Sequence, residues 1–277
     1  MIEVLTLVTC LIAQPAESDA PKPGGALEAL RAEYQADAAK YVFHADAEHK
    51  QELKLVEKPI MRWANDDDWS GDVFVWTHAG RPAVIGCMLS GPSGEKNRIA
   101  FHEFHLLAER PIAATDLLTH RRWQPAEGLS RHPLAAARLM QMRQLSRQFT
   151  AHMEADGVWE LRLLPQPLFR YGDEQAGGSE HEKPAVIDGA LFTWVWDKGT
   201  DPEVIVLIEC RDAGSGPAWY FAPVRFSNRA VWLKYDEGEV WRVEGHKEAG
   251  NPVTQIYTTA YARTFPRAAP ADAKDTK

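Results

Sequence analysis

Apolar residues fall into two rhythms along this chain. From Leu27 they recur at three- and four-residue steps (Leu27, Leu30, Tyr34, Ala38, Tyr41), the spacing that gathers side chains on one face of a helix. A second series, Leu139, Met142, Leu145, Phe149 and Met153, follows Pro133, which suits a first helical turn, and predicts a helix that stops before Gly157. Between and after these stretches, short alternating or apolar runs are bounded by Gly, Pro, Asn and Asp, the pattern of strands joined by hairpins. Residues 98–107 (RIAFHEFHLL) and 219–226 (WYFAPVRF) read as strands, and 231–243 as a hairpin turning at Asp236-Glu237-Gly238. The run 204–208 (VIVLI) is apolar throughout, which predicts a central strand buried on both faces.

The strand pattern repeats. Pro59-Ile60-Met61-Arg62-Trp63-Ala64-Asn65 after the first helix matches Pro167-Leu168-Phe169-Arg170-Tyr171-Gly172-Asp173 after the second in residue type. Gly71-Asp72-Val73-Phe74-Val75-Trp76 then matches Gly189-Ala190-Leu191-Phe192-Thr193-Trp194, and Pro82-Ala83-Val84-Ile85 matches Pro202-Glu203-Val204-Ile205. Because side chains alternate across a sheet, Phe74 with Trp76, and Phe192 with Trp194, mark a repeated core face. The offset between copies widens along the chain, so insertions fall in loops, chiefly residues 174–184.

The expected fold class is therefore α+β: two pseudo-repeated units, each a helix followed by an antiparallel β-meander with the helix packed on the sheet. The units are expected at 27–128 and 129–263. Before them come a signal peptide at 1–20 and a Pro/Gly linker at 21–26 (PKPGGA), and after them a disordered tail at 264–277 without an apolar face.

Composition narrows this further. A hydrophobic content of 45% with 25% charged residues over 277 positions excludes disorder of the whole chain. The net charge of -8 and the absence of any Lys/Arg cluster set nucleic acid aside as a partner. Residues 4–13 (VLTLVTCLIA) have the length of a signal-peptide core and are too short to span a bilayer, although Glu3 stands where a basic residue is usual. An exported, periplasmic or extracellular protein without a transmembrane span in its mature form is expected. An N-terminal strand or buried helix is the other reading of that segment. Of three cysteines, Cys10 lies in it, and Cys87 and Cys210 remain either to pair once or to act as small apolar residues.

Candidate chemistry is sparse. His102-Glu103-Phe104-His105 offers acid/base groups, but lacks the spacing of H-E-x-x-H, and on a strand His102 and His105 point to opposite sides, so no metal site is assigned. Asn65 to Asp68 reads as a solvated acidic turn, because Trp69 stands where a calcium loop needs a ligand. Residues 91–96 (GPSGEK) fail the phosphate-loop spacing and read as a hairpin connection. No cofactor signature is present. Arg62 and Arg170 occupy equivalent positions and could clamp an anionic ligand between the units, or each could serve a repeated ion pair. Arg138, Arg143 and Arg147 read as a solvated rim beside the second helix's apolar stripe.

The segment Gln141-Met142-Arg143-Gln144-Leu145-Ser146-Arg147-Gln148-Phe149 with Glu160-Leu161-Arg162-Leu163-Leu164-Pro165-Gln166-Pro167-Leu168 resembles uncharacterised exported proteins of planctomycete bacteria. The same holds for Asp188-Gly189-Ala190-Leu191-Phe192 and Gly199-Thr200-Asp201-Pro202-Glu203-Val204. The resemblance covers most of residues 55–245, implies export, and brings no catalytic residues with it. The expected role is a non-enzymatic envelope or extracytoplasmic protein that binds an unknown protein or small ligand. Two other readings stand beside it. One is a hydrolase using His102, Glu103 and His105, and the other is carbohydrate recognition through Trp69, Trp123 or Trp219.

Overall fold

The computed structural model describes residues 25–46, 48–107, 123–126, 131–132, 134–172, 185–212, 216–245 and 258–267. The expected signal segment, residues 21–24 of the linker, Pro133 and the 174–184 insertion lie outside them. Helix α1 (Gly25–Ala38) leads into β1 (Lys54–Leu55), β2 (Met61–Ala64), β3 (Ser70–His78), β4 (Arg81–Ser93), β5 (Asn97–Leu106) and β6 (Gln124–Ala126). Helix α2 (Ala135–Ser146) is followed by β7 (Phe149–Glu154), β8 (Val158–Leu163), β9 (Phe169–Gly172), β10 (Ala185–Val195) and β11 (Pro202–Asp212). The chain then forms β12 (Pro217–Arg225), β13 (Ala230–Tyr235), β14 (Gly238–Val243) and β15 (Thr258–Pro266).

These strands make two antiparallel sheets. The first has six strands in the order β1-β3-β4-β5-β15, with β2 also on β3. The second has nine, in the order β14-β13-β7-β8-β10-β11-β12-β6, with β9 also on β10. Their facing sides share an inner layer in which Val73, Val75, Ile85 and Cys87 meet Leu191, Ile205, Leu207 and Val224. Phe74, Trp76, Met88 and Phe104 point out of the first sheet beneath Tyr34 and Ala38 of α1. Phe192, Trp194, Val206 and Ile208 point out of the second, beneath Met142 and Leu145 of α2. Phe149, Met153, Val231 and Leu233 join that outer cluster, so the second sheet curls until its far strands cover its own outer face.

The α+β expectation is overturned. Strand accounts for 56% of the described residues and the helices span only 14 and 12, so the class is mainly β, two curled sheets in place of two helix-plus-meander units. The second helix is shorter than its apolar series predicts, for a physical reason. Phe149 and Met153 fit both a helical and an alternating rhythm, and Ala151 decides between them: Phe149, Ala151 and Met153 are buried while Thr150 and Glu154 are exposed, a two-residue period. The helix therefore stops at Ser146 and β7 and β8 form a hairpin. Long-range pairing also crosses the expected division, because β6 joins the second sheet and β15 returns to β5 of the first. Residues 264–266, assigned to a tail, complete that returning strand.

What the matched segments share is pairing register. Trp63 lies opposite Gly71 and Tyr171 opposite Gly189, and in each case the aromatic ring lies across the glycine. A Cβ on Gly71 would sit 2.7 Å from the Trp63 indole nitrogen, and one on Gly189 would sit 2.6 Å from the Tyr171 ring. Close approach of a ring to the backbone is why glycine stands at both places. The 204–208 run is central as expected, with ten of the eleven residues of β11 buried.

Candidate functional site

Strand β11 is apolar only along its middle. Glu203, Ile205, Leu207 and Glu209 alternate onto the face that meets the first sheet, so the strand carries a carboxylate into the inner layer near each end. The two ends are solved differently.

At Glu209, which is fully buried, the carboxylate is saturated with donors. Arg81 from β4 reaches it through two nitrogens at 3.0 Å each, Arg211 donates at 2.6 Å and the Tyr171 hydroxyl at 2.7 Å. Arg81 comes from the opposite sheet, so this network pins the two sheets together. Trp123 stacks on the Arg211 guanidinium, 3.6 Å from its ring centre, and seals that end.

At Glu203 the neighbours are acids. Burial first, and then the charges of Asp201 and Glu103, push the Glu203 carboxyl up to about 8, against a hydrogen bond from Ser227 and the Arg229 charge. Asp201 is raised as well, by burial and by Glu103, despite its own backbone hydrogen bond. Around neutral pH Glu203 is therefore a proton-carrying carboxylic acid inside the sandwich. His105 is fully buried in the same inner layer, its Nε2 lying 3.9 Å from a Glu103 oxygen and its ring 4.4 Å from that of Phe226. Burial lowers its pKa, which keeps the imidazole neutral, although Glu103 pulls the other way. Cys87, opposite Glu103 in the ladder, accepts a hydrogen bond from Trp63 Nε1 at 3.3 Å and is raised well above the usual thiol range by burial and by Glu103. It is a thiol and not a nucleophile.

Of the acid/base residues singled out in the sequence, Glu103 and His105 come together here and His102 does not. His102 faces α1, where its Nδ1 lies 2.7 Å from the Tyr41 hydroxyl and its Nε2 3.3 Å from Asp37. Asp37 is gripped in turn by Lys40 and Arg263, which ties α1 to β15. The alternation of β5 thus splits the three residues as its period requires. Asp201 and Glu203 belong to no site motif in the sequence, yet a glutamate at each end of a buried apolar run, in phase with Ile205 and Leu207, is a readable signal.

Arg62 and Arg170 are not brought together. Arg62 pairs with Asp72 at 3.4 Å on the α1 side of the first sheet, and Arg170 pairs with Asp188 at 2.7 Å on the α2 side of the second. Arg138, expected on a solvated rim, turns inward to share Asp188 at 2.8 Å. The Asn65 to Asp68 turn is closed by Asn65 Oδ1, which accepts the backbone N–H groups of Asp67 and Trp69, while Asp68 binds Arg98 and Arg267. Among the three tryptophans weighed for carbohydrate, Trp219 is buried and Trp69 and Trp123 are half-buried. Cys87 and Cys210 are both free and lie in different core layers. Among the described residues no group of three or more His, Cys, Asp or Glu side chains is arranged to hold a metal, and no helix is long and apolar enough to cross a membrane.

One open groove adjoins the second sheet. Strand β8 pairs with β7 up to Leu161 and then leaves it to pair with β10 at Arg162 and Leu163, and the fork opens a space of about 450 Å³. It is lined by Leu161, Leu163 and the buried Phe149 and Trp194 on its apolar side, and by Arg147, Thr150, Glu160, Arg162 and Asp197 at its exposed rim. Arg162 and Asp197 approach within 3.4 Å, and both are half or more exposed. No family model, curated protein or solved structure matches the chain.

Proposed function

We propose that this protein is an exported, non-enzymatic binding protein of the cell envelope whose ligand or partner seats in the groove at the β8 fork. The observation that carries the reading is the composition of that groove: an apolar lining from Leu161 and Leu163 over the buried Phe149 and Trp194, beside charges of both signs, at a volume suited to a small ligand or a few residues of peptide. Arg147 and Arg162 supply guanidinium donors for an anionic group, and Glu160 and Asp197 supply acceptors for a cationic one. A ligand with both charges fits this rim best. Export is supported by the apolar segment at 4–13 and by the planctomycete resemblance of residues 139–171 and 188–204. The test is to screen zwitterionic small molecules and short peptides against the purified chain by ligand-observed NMR. Binding that Arg162→Glu and Arg147→Glu each weaken at least tenfold supports the reading, and hits indifferent to both substitutions contradict it.

A second reading is favoured by one observation, the approach of His105 Nε2 to within 3.9 Å of a Glu103 oxygen in the layer where burial raises Glu203. A protonated carboxylic acid next to other carboxyl groups is the arrangement a hydrolase uses for general acid/base work. It predicts hydrolysis of a glycoside or ester that Glu203→Gln and Glu103→Gln each reduce by at least a hundredfold. Turnover unaffected by both substitutions would exclude that role.

A further inference from the structure

The turns at one end of the second sheet hold a cation between two indoles. Trp159, from β8, and Trp196, just after β10, meet at 70° with ring centres 5.8 Å apart, forming two walls of a corner. The Lys198 ammonium sits in that corner, 4.7 Å from the centre of Trp159 and 4.8 Å from that of Trp196. Asp156, in the β7–β8 turn, supplies an anionic third side. Its carboxylate lies 3.5 Å from the Lys198 ammonium and accepts a hydrogen bond from Trp159 Nε1 at 2.9 Å, which fixes that ring. Arg229 stacks against Trp196 as well, at 4.5 Å, so Trp159 is the wall with the less divided π face.

Two indole faces and a carboxylate around a cation are the elements with which proteins recognise quaternary ammonium groups. We infer that Trp159, Trp196 and Asp156 form a binding site for a trimethylammonium-type cation, and that Lys198 occupies it as an intramolecular placeholder. Lys198 is a weak occupant. Its ammonium is strongly hydrated, its side chain is 51% exposed, and its stem is long enough to swing into solvent. A quaternary ammonium sheds water more readily, has no N–H to satisfy, and gains more from the ring faces. Leaving the corner costs Lys198 only two exposed cation–π contacts and a solvated ion pair. The site shares no residue with the groove rim, so the two can fail independently.

The probe is tetramethylammonium chloride, added to the full chain while the Trp159 and Trp196 indole N–H signals are followed by NMR, with sodium chloride at equal ionic strength as the blank. Saturable shifts at Trp159 are expected. Lys198→Ala should tighten binding about five- to thirtyfold, the value of the two exposed cation–π contacts it removes. Trp159→Ala should abolish it, and Trp159→Phe should retain a weakened response, which separates loss of the wall from loss of the fold. Choline should bind and its neutral isostere 3,3-dimethylbutanol should not. Absence of saturable shifts in Lys198→Ala, equal binding of the neutral isostere, or unchanged affinity in Trp159→Ala would each overturn the proposal.

Discussion

Glu203 and Glu209 stand six residues apart on the same face of one strand, both enclosed between the same two sheets, and they differ in everything but chemistry. Glu209 is met by two guanidinium groups and a tyrosine hydroxyl, so its charge is compensated where it lies. Glu203 is held up first by burial and then by the charges of Asp201 and Glu103, which outweigh the Ser227 hydrogen bond and the Arg229 charge, so it keeps a proton. One end of the sandwich is pinned by an ion network and the other is held neutral. A buried carboxylate is thus a fastener or a titratable weakness according to neighbours contributed by other strands.

The sharpest way to break this contrast is to strip the pinned end. Arg211→Ala leaves Glu209 buried with part of its compensation gone, and should cost about 3–5 kcal/mol, read as a lower urea midpoint with the slope unchanged. A loss below 1 kcal/mol would mean that Arg81 and Tyr171 suffice. The unpinned end should respond to pH. Between the ordinary carboxyl range and about 8, the folded state holds a proton on Glu203 that the unfolded chain has released. Stability should therefore fall as pH rises through that window, by at most about 1.4 kcal/mol per unit from this one group. Glu203→Gln should flatten the profile there, as seen in urea midpoints from pH 5 to 9. Asp72 adds a lesser fall in the same direction, complete near its value of about 6, because burial outweighs the half-exposed Arg62 beside it.

A steric change at the same layer comes next. Gly71→Ala drives a methyl group against Trp63 and Cys87 and should cost about 1–3 kcal/mol, with a changed Trp63 fluorescence as the local signature. The smallest effect is chemical. Burial raises both the Cys87 and Cys210 thiols, the latter to about 11, so their peptides should stay unmodified by iodoacetamide in the native protein at pH 8 and react once it is unfolded.

How much of this could be read beforehand follows from locality. The central strand at 204–208 was legible because a continuous apolar run between turn residues has few alternatives, and the matched Gly and aromatic positions did share a pairing register. The split of His102 from His105 followed from alternation alone. The end of the second helix is ambiguous because Phe149 and Met153 fit both periods, and pairing of β7 with β13 and β8 settles it as strand. The return of β15 to β5, and the meeting of Glu103 with Asp201 and Glu203, depend on pairing between distant segments, which no local pattern encodes. For the same reason the partners of Glu209 could not be named, although its place on the strand could.

The most direct measurement is the protonation of Glu203 itself. Carbon-detected NMR of side-chain carboxyls, titrated from pH 4 to 10 and assigned by the signal missing in Glu203→Gln, should show Glu203 losing its proton near 8. Ionisation in the ordinary carboxylate range, near 4.5, would contradict the distinction between the two ends of the strand.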